Sequence, residues 1–217
     1  MIRPFGINEA FFIISAIQWT VLLSLTAFAG GALGGFAIAL MRTSPIPALR
    51  RIASGFIQVF QGTPLLMQLF LVFFGASAMG WKLNPWVAAA IGLTLHASAF
   101  LGEIWRGSIE TVPRGQWEAA HALGLRYREK IRDVILPQAI KLSLAPTVGF
   151  LVQLIKGTSL AAIIGFTELT RAGQIVNNAT FQPFLVFGLV GALYFALCWP
   201  LSMLSAHLER RLTRASR

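Results

Sequence analysis

The chain has 217 residues, of which 56% are hydrophobic and 12% are charged, and its mean hydropathy is +0.69. A soluble domain of this size cannot bury so many apolar side chains, so the composition excludes a water-soluble fold and predicts an integral membrane protein. The net charge of +10 does not indicate a nucleic-acid-binding protein, because the basic residues lie between apolar segments and do not form one stripe.

Five apolar segments are long enough to cross a hydrocarbon core of ~30 Å, which takes ~20 helical residues. The sequence therefore predicts one all-α transmembrane domain over residues 1–217, with five transmembrane helices. The predicted spans cover about residues 17–41, 56–79, 86–109, 142–166 and 184–208.

The first span carries two overlapping pairs of glycines, each pair four residues apart. They are Gly30 with Gly34 and Gly31 with Gly35. Small residues at this spacing let helix backbones approach closely in lipid. We expect these glycines to pack against another helix of the same chain rather than to form a dimer.

The second span contains a predicted interruption. Gly62 and Pro64 flank Thr63, and interrupted membrane helices expose backbone groups where a cavity can use them. Two roles are open for the Thr63 hydroxyl: lining a pathway, or hydrogen bonding to its own helix. The same two roles are open for Thr158 and Ser159 in the fourth span.

A polar segment of about residues 111–137 separates the third and fourth spans. Thr111 is suited to cap a helix with Pro113 in its first turn, and Gly124 is suited to end that helix in a left-handed conformation. A second helix is predicted from about Arg126, and Leu136-Pro137 is expected to redirect the chain. These features predict a short helix lying across the base of the bundle.

The composition of this short helix favours a docking surface. Its alanines, Ala119, Ala120 and Ala122, allow close approach to a partner, and Glu118 offers a hydrogen-bond acceptor. The alternative is an amphipathic helix lying on lipid headgroups. Glu118 would repel anionic lipid and large apolar side chains are few, so docking is the preferred interpretation.

The charged residues Glu103 and Lys156 lie within the third and fourth predicted spans. Charges inside a bilayer are costly, which makes both candidates for function. They could pair with each other or with backbone carbonyls, or they could contact a zwitterionic substrate through its ammonium and carboxylate groups. The sequence alone leaves both alternatives open.

Charge asymmetry between the loops predicts the orientation. Fourteen of the eighteen basic residues, Arg214 and Arg217 among them, lie at or beyond the ends of the first, third and fifth spans. The other side has only Arg3, Lys82 and Arg171. Positive loops face the cytoplasm, so the N-terminus is predicted outside and the C-terminus inside.

The sequence offers no pattern for catalysis or metal binding. The three histidines are isolated, Cys198 lies in an apolar run, and neither a metal-ligand spacing nor a GxxxxGK[ST] nucleotide motif occurs. A membrane enzyme would need a nucleophile with its base, or a metal cluster. We therefore expect a chain that is not itself an enzyme and has no metal site.

Several motifs together resemble one family. The chain is similar to the membrane permease subunits of bacterial ABC importers, in the branch for polar amino acids and opines (histidine, glutamine, arginine and glutamate permeases). The similarity covers about residues 55–175, and its motifs are Glu118-Ala119-Ala120 with Gly124 and Ile135-Leu136-Pro137 (the EAA loop), Gly62-Thr63-Pro64-Leu65-Leu66 with Gln68-Leu69, Glu103-Ile104 with Arg106-Gly107, Val112-Pro113, Gly115-Gln116, Lys156-x-Thr158-Ser159-Leu160, and Glu168-Leu169.

The chain departs from the family pattern at two positions. Gln61 stands where the family often has Arg, and Gly157 stands where it often has Asp. The substrate-pathway candidates by resemblance and position are Gln61, Thr63, Glu103, Lys156, Thr158 and Ser159.

The resemblance implies the type I ABC importer permease fold, with a periplasmic N-terminus, a cytoplasmic C-terminus and a cytoplasmic coupling helix. A separate ABC ATPase dimer would bind ATP and Mg, so no cofactor is expected in this chain. Further implied partners are a second permease, identical or related, and a periplasmic amino-acid-binding protein. The implied location of the chain is the bacterial inner membrane. The implied ATPase-coupling residues are Glu118, Ala119, Ala120, His121, Gly124, Leu136 and Pro137.

Two other functions compete with the importer. A self-contained secondary amino acid transporter is the main alternative, although five spans are few and no internal inverted repeat is visible. A structural scaffold would not need Glu103 and Lys156 within the membrane.

Overall fold

The computed structural model describes residues 4–215, with side chains up to residue 212. Arg3 and Arg217, which entered the charge count, lie outside the described residues, and so does the side chain of Arg214. The described part of the chain is helical without a β-strand. Its helices are α1 (Ile7–Ser15), α2 (Ile17–Thr43), α3 (Pro47–Gly62), α4 (Leu65–Ala78), α5 (Pro85–Glu110), α6 (Arg114–Ala122), α7 (Tyr127–Ala162), α8 (Leu169–Thr180) and α9 (Pro183–Ala215).

Four stretches within residues 4–212 are long and apolar enough to cross a membrane as helices. They are Ile7–Thr43 (α1 with α2), α5, α7 and the part of α9 up to Leu212. A fifth span results only if α3 and α4 are taken together, since they meet at an angle of 104°. The all-helical prediction is confirmed, and the second predicted span, over residues 56–79, contains the bend between α3 and α4.

The bend between α3 and α4 lies at Thr63-Pro64, where the sequence predicts an interruption. Proline has no N–H to donate and disfavours helical backbone in the residue before it. Thr63 accordingly has an extended backbone, with φ −118° and ψ 143°. The predicted break is confirmed, and it separates the two helices because the backbone is extended at both Thr63 and Pro64.

The fourth predicted span is part of a longer helix. Instead of redirecting the chain at Leu136-Pro137, α7 runs continuously from Tyr127, so that expectation is wrong. A wider π-helical stretch over Lys130–Ile135 ends two residues before Pro137. The π-helical turns make room for the proline ring and leave its missing N–H without consequence, and the helix continues through it.

The packing of α2 on α5 forms the centre of the bundle. Leu23 and Ala27 of α2 lie in one buried cluster with Leu93, Ala97 and Leu101 of α5. The predicted glycines are what permits the close approach. A Cβ atom at Gly31 would overlap the Cβ of Ala97, and one at Gly35 would lie 2.8 Å from the Cβ of Leu101. Intramolecular packing of this glycine face is therefore confirmed.

The second half of the chain packs against this centre from the other side. α9 runs along α7, where the Ser205 hydroxyl donates to the Ala145 carbonyl at 2.8 Å. A smaller cluster joins Ile13 of α1 to Leu169 of α8 and Val186 of α9. The short helix α8 is thus held between the two ends of the chain.

Candidate functional site

The helix α6 lies in the segment that the sequence singles out for docking. Its N-terminus differs from the prediction: the Thr111 hydroxyl donates to the Gly107 carbonyl at 2.8 Å and belongs to the end of α5. Pro113 occupies the N-cap position of α6 instead. The Thr111 cap is wrong because Thr111 still has helical backbone at the end of α5, with φ −74° and ψ −17°, and α6 begins only after Pro113.

The C-terminus of α6 follows the prediction at Gly124. This residue has φ +71°, the left-handed conformation that a side chain disfavours. Its N–H donates to the His121 carbonyl at 2.9 Å, and the Leu125 N–H donates to the Ala120 carbonyl at 3.2 Å. These two bonds form a Schellman motif, which closes the helix and turns the chain into α7.

α6 is fixed to the ends of two long helices. Ile109 and Val112 at the end of α5 form a buried cluster with Ile135 and Ala139 of α7, and Trp117 of α6 packs on it. Two polar contacts add to this attachment: Gln138 Nε2 donates to Gln116 Oε1 at 3.2 Å, and Lys130 Nζ donates to His121 Nδ1 at 2.8 Å. A force on α6 is therefore transmitted to α5 and α7.

The residues expected to couple the chain to an ATPase do not all lie on one surface. Glu118, Ala119, His121, Gly124 and Pro137 are exposed, and Leu136 is half-buried. Ala120 is only 2% exposed and packs inward, so it is not part of the exposed face of α6. The i, i+3 and i+4 geometry of a helix puts Ala120 on the side of Trp117, which faces the cluster.

The break between α3 and α4 is bridged by one side chain, that of Gln68. Its Nε2 donates to the Phe60 carbonyl at 2.8 Å and to the Thr63 carbonyl at 3.0 Å. Since the amide nitrogen faces two carbonyls, its Oε1 is the atom at 3.0 Å from His96 Nδ1. The imidazole must then donate through Nδ1.

The contact between Gln68 and His96 was not predicted from the sequence. Gln68 appeared there only within a family motif, and lone histidines in membrane helices usually pack. A buried glutamine one turn after a proline break is the signal that could have indicated it, because the break leaves carbonyls without partners. Of the two roles left open for the Thr63 hydroxyl, the structure shows hydrogen bonding to its own helix, since it donates to the Val59 carbonyl at 2.7 Å. Gln61 is exposed.

Glu103 and Lys156 do not pair with each other. Arg106 Nε donates to one Glu103 oxygen at 2.9 Å and its Nη2 contacts the other at 2.5 Å. Arg106 also pairs with Glu110. The sequence interpretation in which Glu103 pairs with Lys156 is wrong, because an arginine one turn away on the same helix is within reach. Lys156 forms no ion pair with any side chain within residues 4–212.

The hydroxyls after Lys156 bond to their own helix. Thr158 is fully buried and donates to the Ile155 carbonyl at 2.7 Å, and Ser159 donates to the Lys156 carbonyl at 2.7 Å. Gly157 lies against α4: a Cβ there would be 3.1 Å from Leu65 Cδ2. Where the family often has Asp, this chain therefore has a glycine that packs closely against Leu65, the first residue of α4.

Lys156 and Ser159 line a pocket of about 360 Å³ between α7, α8 and α9, together with Thr170 and Tyr194. Behind Tyr194 lies the fully buried Glu168, whose Oε2 accepts from the Tyr194 hydroxyl at 2.6 Å. Its other oxygen accepts from the Arg171 N–H at 2.9 Å and caps α8. Sequence analysis did not identify Tyr194 as a pocket residue, and gave Glu168 no role beyond its family motif.

Among the described residues, no group of three or more His, Cys, Asp and Glu side chains could hold a metal ion.

Comparison with known proteins gives one consistent match. Residues 31–214 match the family model described as a binding-protein-dependent transport system inner membrane component. The chain is 36% identical over 200 residues to the probable amino-acid ABC transporter permease protein YckA of Bacillus subtilis, covering 92% of this chain and 88% of that protein.

Two further relatives carry different substrate names. The L-cystine transport system permease protein TcyB of Bacillus subtilis is 37% identical, covering 91% of this chain and 85% of its own length. The nopaline transport system permease protein NocM of Agrobacterium fabrum is 31% identical, with 88% and 84% covered. The match therefore spans nearly the whole chain in each case.

Solved structures agree with this match. A chain from a crystal structure of an amino acid ABC transporter with histidines has a TM-score of 0.88 and 35% identity, covering 94% of this chain and 96% of that one. A chain from an inward-facing MetNI methionine ABC transporter has a TM-score of 0.79, with 95% and 99% covered. At 19% identity the second likeness shows the fold alone.

Proposed function

The chain belongs to the family of binding-protein-dependent transport system inner membrane components, and we infer from its relatives that it is the permease subunit of an ABC transporter for amino acids. The observation that carries this inference is identity of 36–37% to amino-acid permeases over more than nine-tenths of the chain. The alternative of a secondary transporter finds no support among these relatives.

The direction of transport and the orientation are further parts of the proposal. The transporter imports a polar amino acid or an opine-like derivative from the periplasm to the cytoplasm through the inner membrane. The N-terminus lies in the periplasm and the C-terminus in the cytoplasm, as the positions of the basic residues favour. The five spans of the type I fold then count α3 and α4 together as one broken span.

Coupling to ATP takes place through α6. A separate ATPase binds ATP with Mg and docks on the exposed face around Glu118 and Ala119. When the ATPase dimer closes, it displaces α6, and the cluster around Trp117 passes that displacement to α5 and α7. The permease thereby changes between outward and inward opening without carrying out any chemistry itself.

The complete transporter contains more than this chain. A second permease, identical or related, completes the membrane part, and two ATPase copies bind on the cytoplasmic side. A periplasmic binding protein delivers the amino acid. The family description names binding-protein dependence, which supports the last of these partners.

Co-purification tests the proposal directly. The tagged chain is extracted from its native membrane in mild detergent, and the proteins that accompany it are identified by mass spectrometry. We expect an ATPase and a permease, and a single permease sequence would indicate a homodimer. Recovery of the chain alone, under conditions that preserve another ABC importer from the same membrane, would contradict the proposal.

A further inference from the structure

The pocket between α7, α8 and α9 combines a cation with hydroxyl groups at membrane depth. Lys156 and Ser159 come from α7, Thr170 from α8, and Tyr194 from α9. Its volume of about 360 Å³ falls within the range of ligand pockets, roughly 300–1,000 Å³. Gly191 on α9 leaves open space, since a Cβ there would meet no atom within 4 Å.

The hydrogen-bond pattern fixes where the hydroxyl protons point. The Tyr194 hydroxyl donates to Glu168 Oε2 at 2.6 Å. The Thr170 hydroxyl lies 3.2 Å from the Tyr194 oxygen and is therefore the donor in that contact. Ser159 donates to the Lys156 carbonyl at 2.7 Å. All three hydroxyls have donated their protons to groups of the protein, and what they have left to offer a ligand is lone pairs.

The ionisable groups near the pocket, Lys156 and Glu168, lie on different sides of it. Glu168 is fully buried directly behind Tyr194, and its carboxyl oxygens accept from the Tyr194 hydroxyl and from the Arg171 N–H at the N-terminus of α8. Lys156 is exposed at the pocket and forms no ion pair with any described side chain. One side of the pocket therefore offers hydrogen-bond acceptors in front of the Glu168 carboxyl group, and the other side offers an ammonium group.

We propose that this pocket binds the backbone groups of the transported amino acid, with the substrate ammonium on the Thr170 and Tyr194 oxygens and the substrate carboxylate on Lys156. The proposal rests on the proposed function as an amino-acid permease and assigns its substrate contacts to residues other than Glu103, which Arg106 occupies. The substrate side chain then lies along the α9 surface near Val190 and Gly191.

An anion alone fits the pocket less well than a zwitterion. A lipid phosphate would satisfy Lys156, but it would bring its negative charge towards hydroxyls that have no free proton and towards Glu168 behind them. A zwitterion satisfies both sides at once, because its ammonium provides the hydrogen-bond donors that the hydroxyl oxygens accept. Lipid binding is therefore an outcome to be distinguished by experiment.

Ligand discrimination tests the assignment. The complex of permease and ATPase, purified without the binding protein, is titrated with the best transported of glutamine, arginine, histidine and cystine. The same complex is titrated with the decarboxylated amine and the N-acetyl derivative of that amino acid. Wild type is expected to bind both derivatives about tenfold or more weakly, since each lacks one charged contact.

Two variants separate the two contacts. Lys156→Met is expected to weaken amino-acid binding about tenfold or more and to leave binding of the decarboxylated amine unchanged. Tyr194→Phe is expected to reduce the preference for the free amino group over the N-acetyl group. Lys156→Arg keeps the charge and should keep the discrimination. Ser202→Ala is the matched control, because the Ser202 hydroxyl of α9 bonds to the Cys198 carbonyl of its own helix.

The outcomes distinguish this proposal from the proposed function. If the complex transports an amino acid but Lys156→Met and Tyr194→Phe both discriminate as wild type does, the pocket assignment is overturned and the function stands. Loss of activation by anionic lipid vesicles in Lys156→Met, with discrimination intact, also overturns it and indicates a lipid site. A wild-type complex with its binding protein that transports no amino acid would overturn the proposed function and the pocket assignment with it.

Discussion

Gln68 is the residue that replaces the hydrogen bonds lost at the α3–α4 break. A single amide donates to two carbonyls of the broken turn and accepts from His96 on α5. A backbone N–H or C=O group without a hydrogen-bond partner costs on the order of several kcal/mol inside the membrane. A sharp bend inside an apolar segment is therefore stable only with such a side chain in place.

Replacing Gln68 by methionine, which has similar volume but cannot form these bonds, should destabilise the fold. We expect a loss of about 1–3 kcal/mol for each buried group left without a partner. The measurement is the thermal unfolding midpoint of the purified protein in detergent. Gln153→Met makes the same exchange at an exposed position of α7 and should leave the midpoint nearly unchanged. Equal midpoints for both variants would contradict the bridging role of Gln68.

At the scale of helices, close approach and termination depend on a few glycines. The contact between α2 and α5 needs residues without a Cβ at Gly31 and Gly35. The end of α6 likewise needs a residue without a Cβ at Gly124, where the backbone is left-handed. The two requirements differ physically, because the first is a lack of space and the second is a conformational preference.

Gly31→Ala should separate α2 from α5. The added Cβ overlaps Ala97, and overpacking of a well-packed core costs about 1–3 kcal/mol. We expect a lower thermal unfolding midpoint in detergent. Gly188→Ala on α9 is the control, since a Cβ there meets nothing within 4 Å. A midpoint for Gly31→Ala as high as that of the control would mean that the two helices do not pack as described.

Gly124→Ala should loosen the end of α6 without filling any space. An alanine in the left-handed region costs about 1–2 kcal/mol, and a Cβ at Gly124 meets no atom within 4 Å. Hydrogen exchange at the amides of Gly124 and Leu125, which close the Schellman motif, should become faster. Gly115→Ala, in the first turn of α6 with equally open space, serves for comparison and should not accelerate exchange at these two amides.

At the scale of the whole molecule, α6 and the start of α7 connect three of the long helices. Trp117 packs on the cluster formed by α5 and α7, and the Tyr127 hydroxyl donates to the Thr43 carbonyl at the end of α2 at 2.5 Å. A displacement at this end of the bundle therefore reaches all three helices. The exposed face of α6 remains available for a partner.

Glu118→Lys should impair docking or coupling while the protein stays folded in the membrane. Glu118 is exposed, so reversal of its charge affects a partner more than this chain. We expect less ATPase to co-purify, or ATP hydrolysis that no longer drives uptake, measured in proteoliposomes with the binding protein. Lys82→Glu reverses an exposed charge in the loop between α4 and α5 and should transport normally. Normal uptake and normal co-purification of Glu118→Lys would show that α6 is not the docking site.

Much of the architecture could be predicted from local sequence. Apolar length predicts a membrane protein, Gly62-Thr63-Pro64 predicts a broken helix, and Gly124 predicts the end of α6. Each of these follows from hydropathy or from backbone chemistry within one or two turns, so no distant contact is needed. Pro137 is the exception, because the π-helical stretch before it lets α7 continue where local rules predict a change of direction.

The sequence by itself determined the class of protein, most of its long apolar helices and the position of the segment proposed to dock. Only the tertiary structure decided which distant side chains meet: Gln68 with His96, and Tyr194 with Glu168 beside Lys156. Hydropathy and turn chemistry act between neighbours in the chain, whereas these polar contacts depend on how helices rotate and cross. A polar side chain in the membrane is costly without a partner, and the packing of distant helices decides which partners lie within reach.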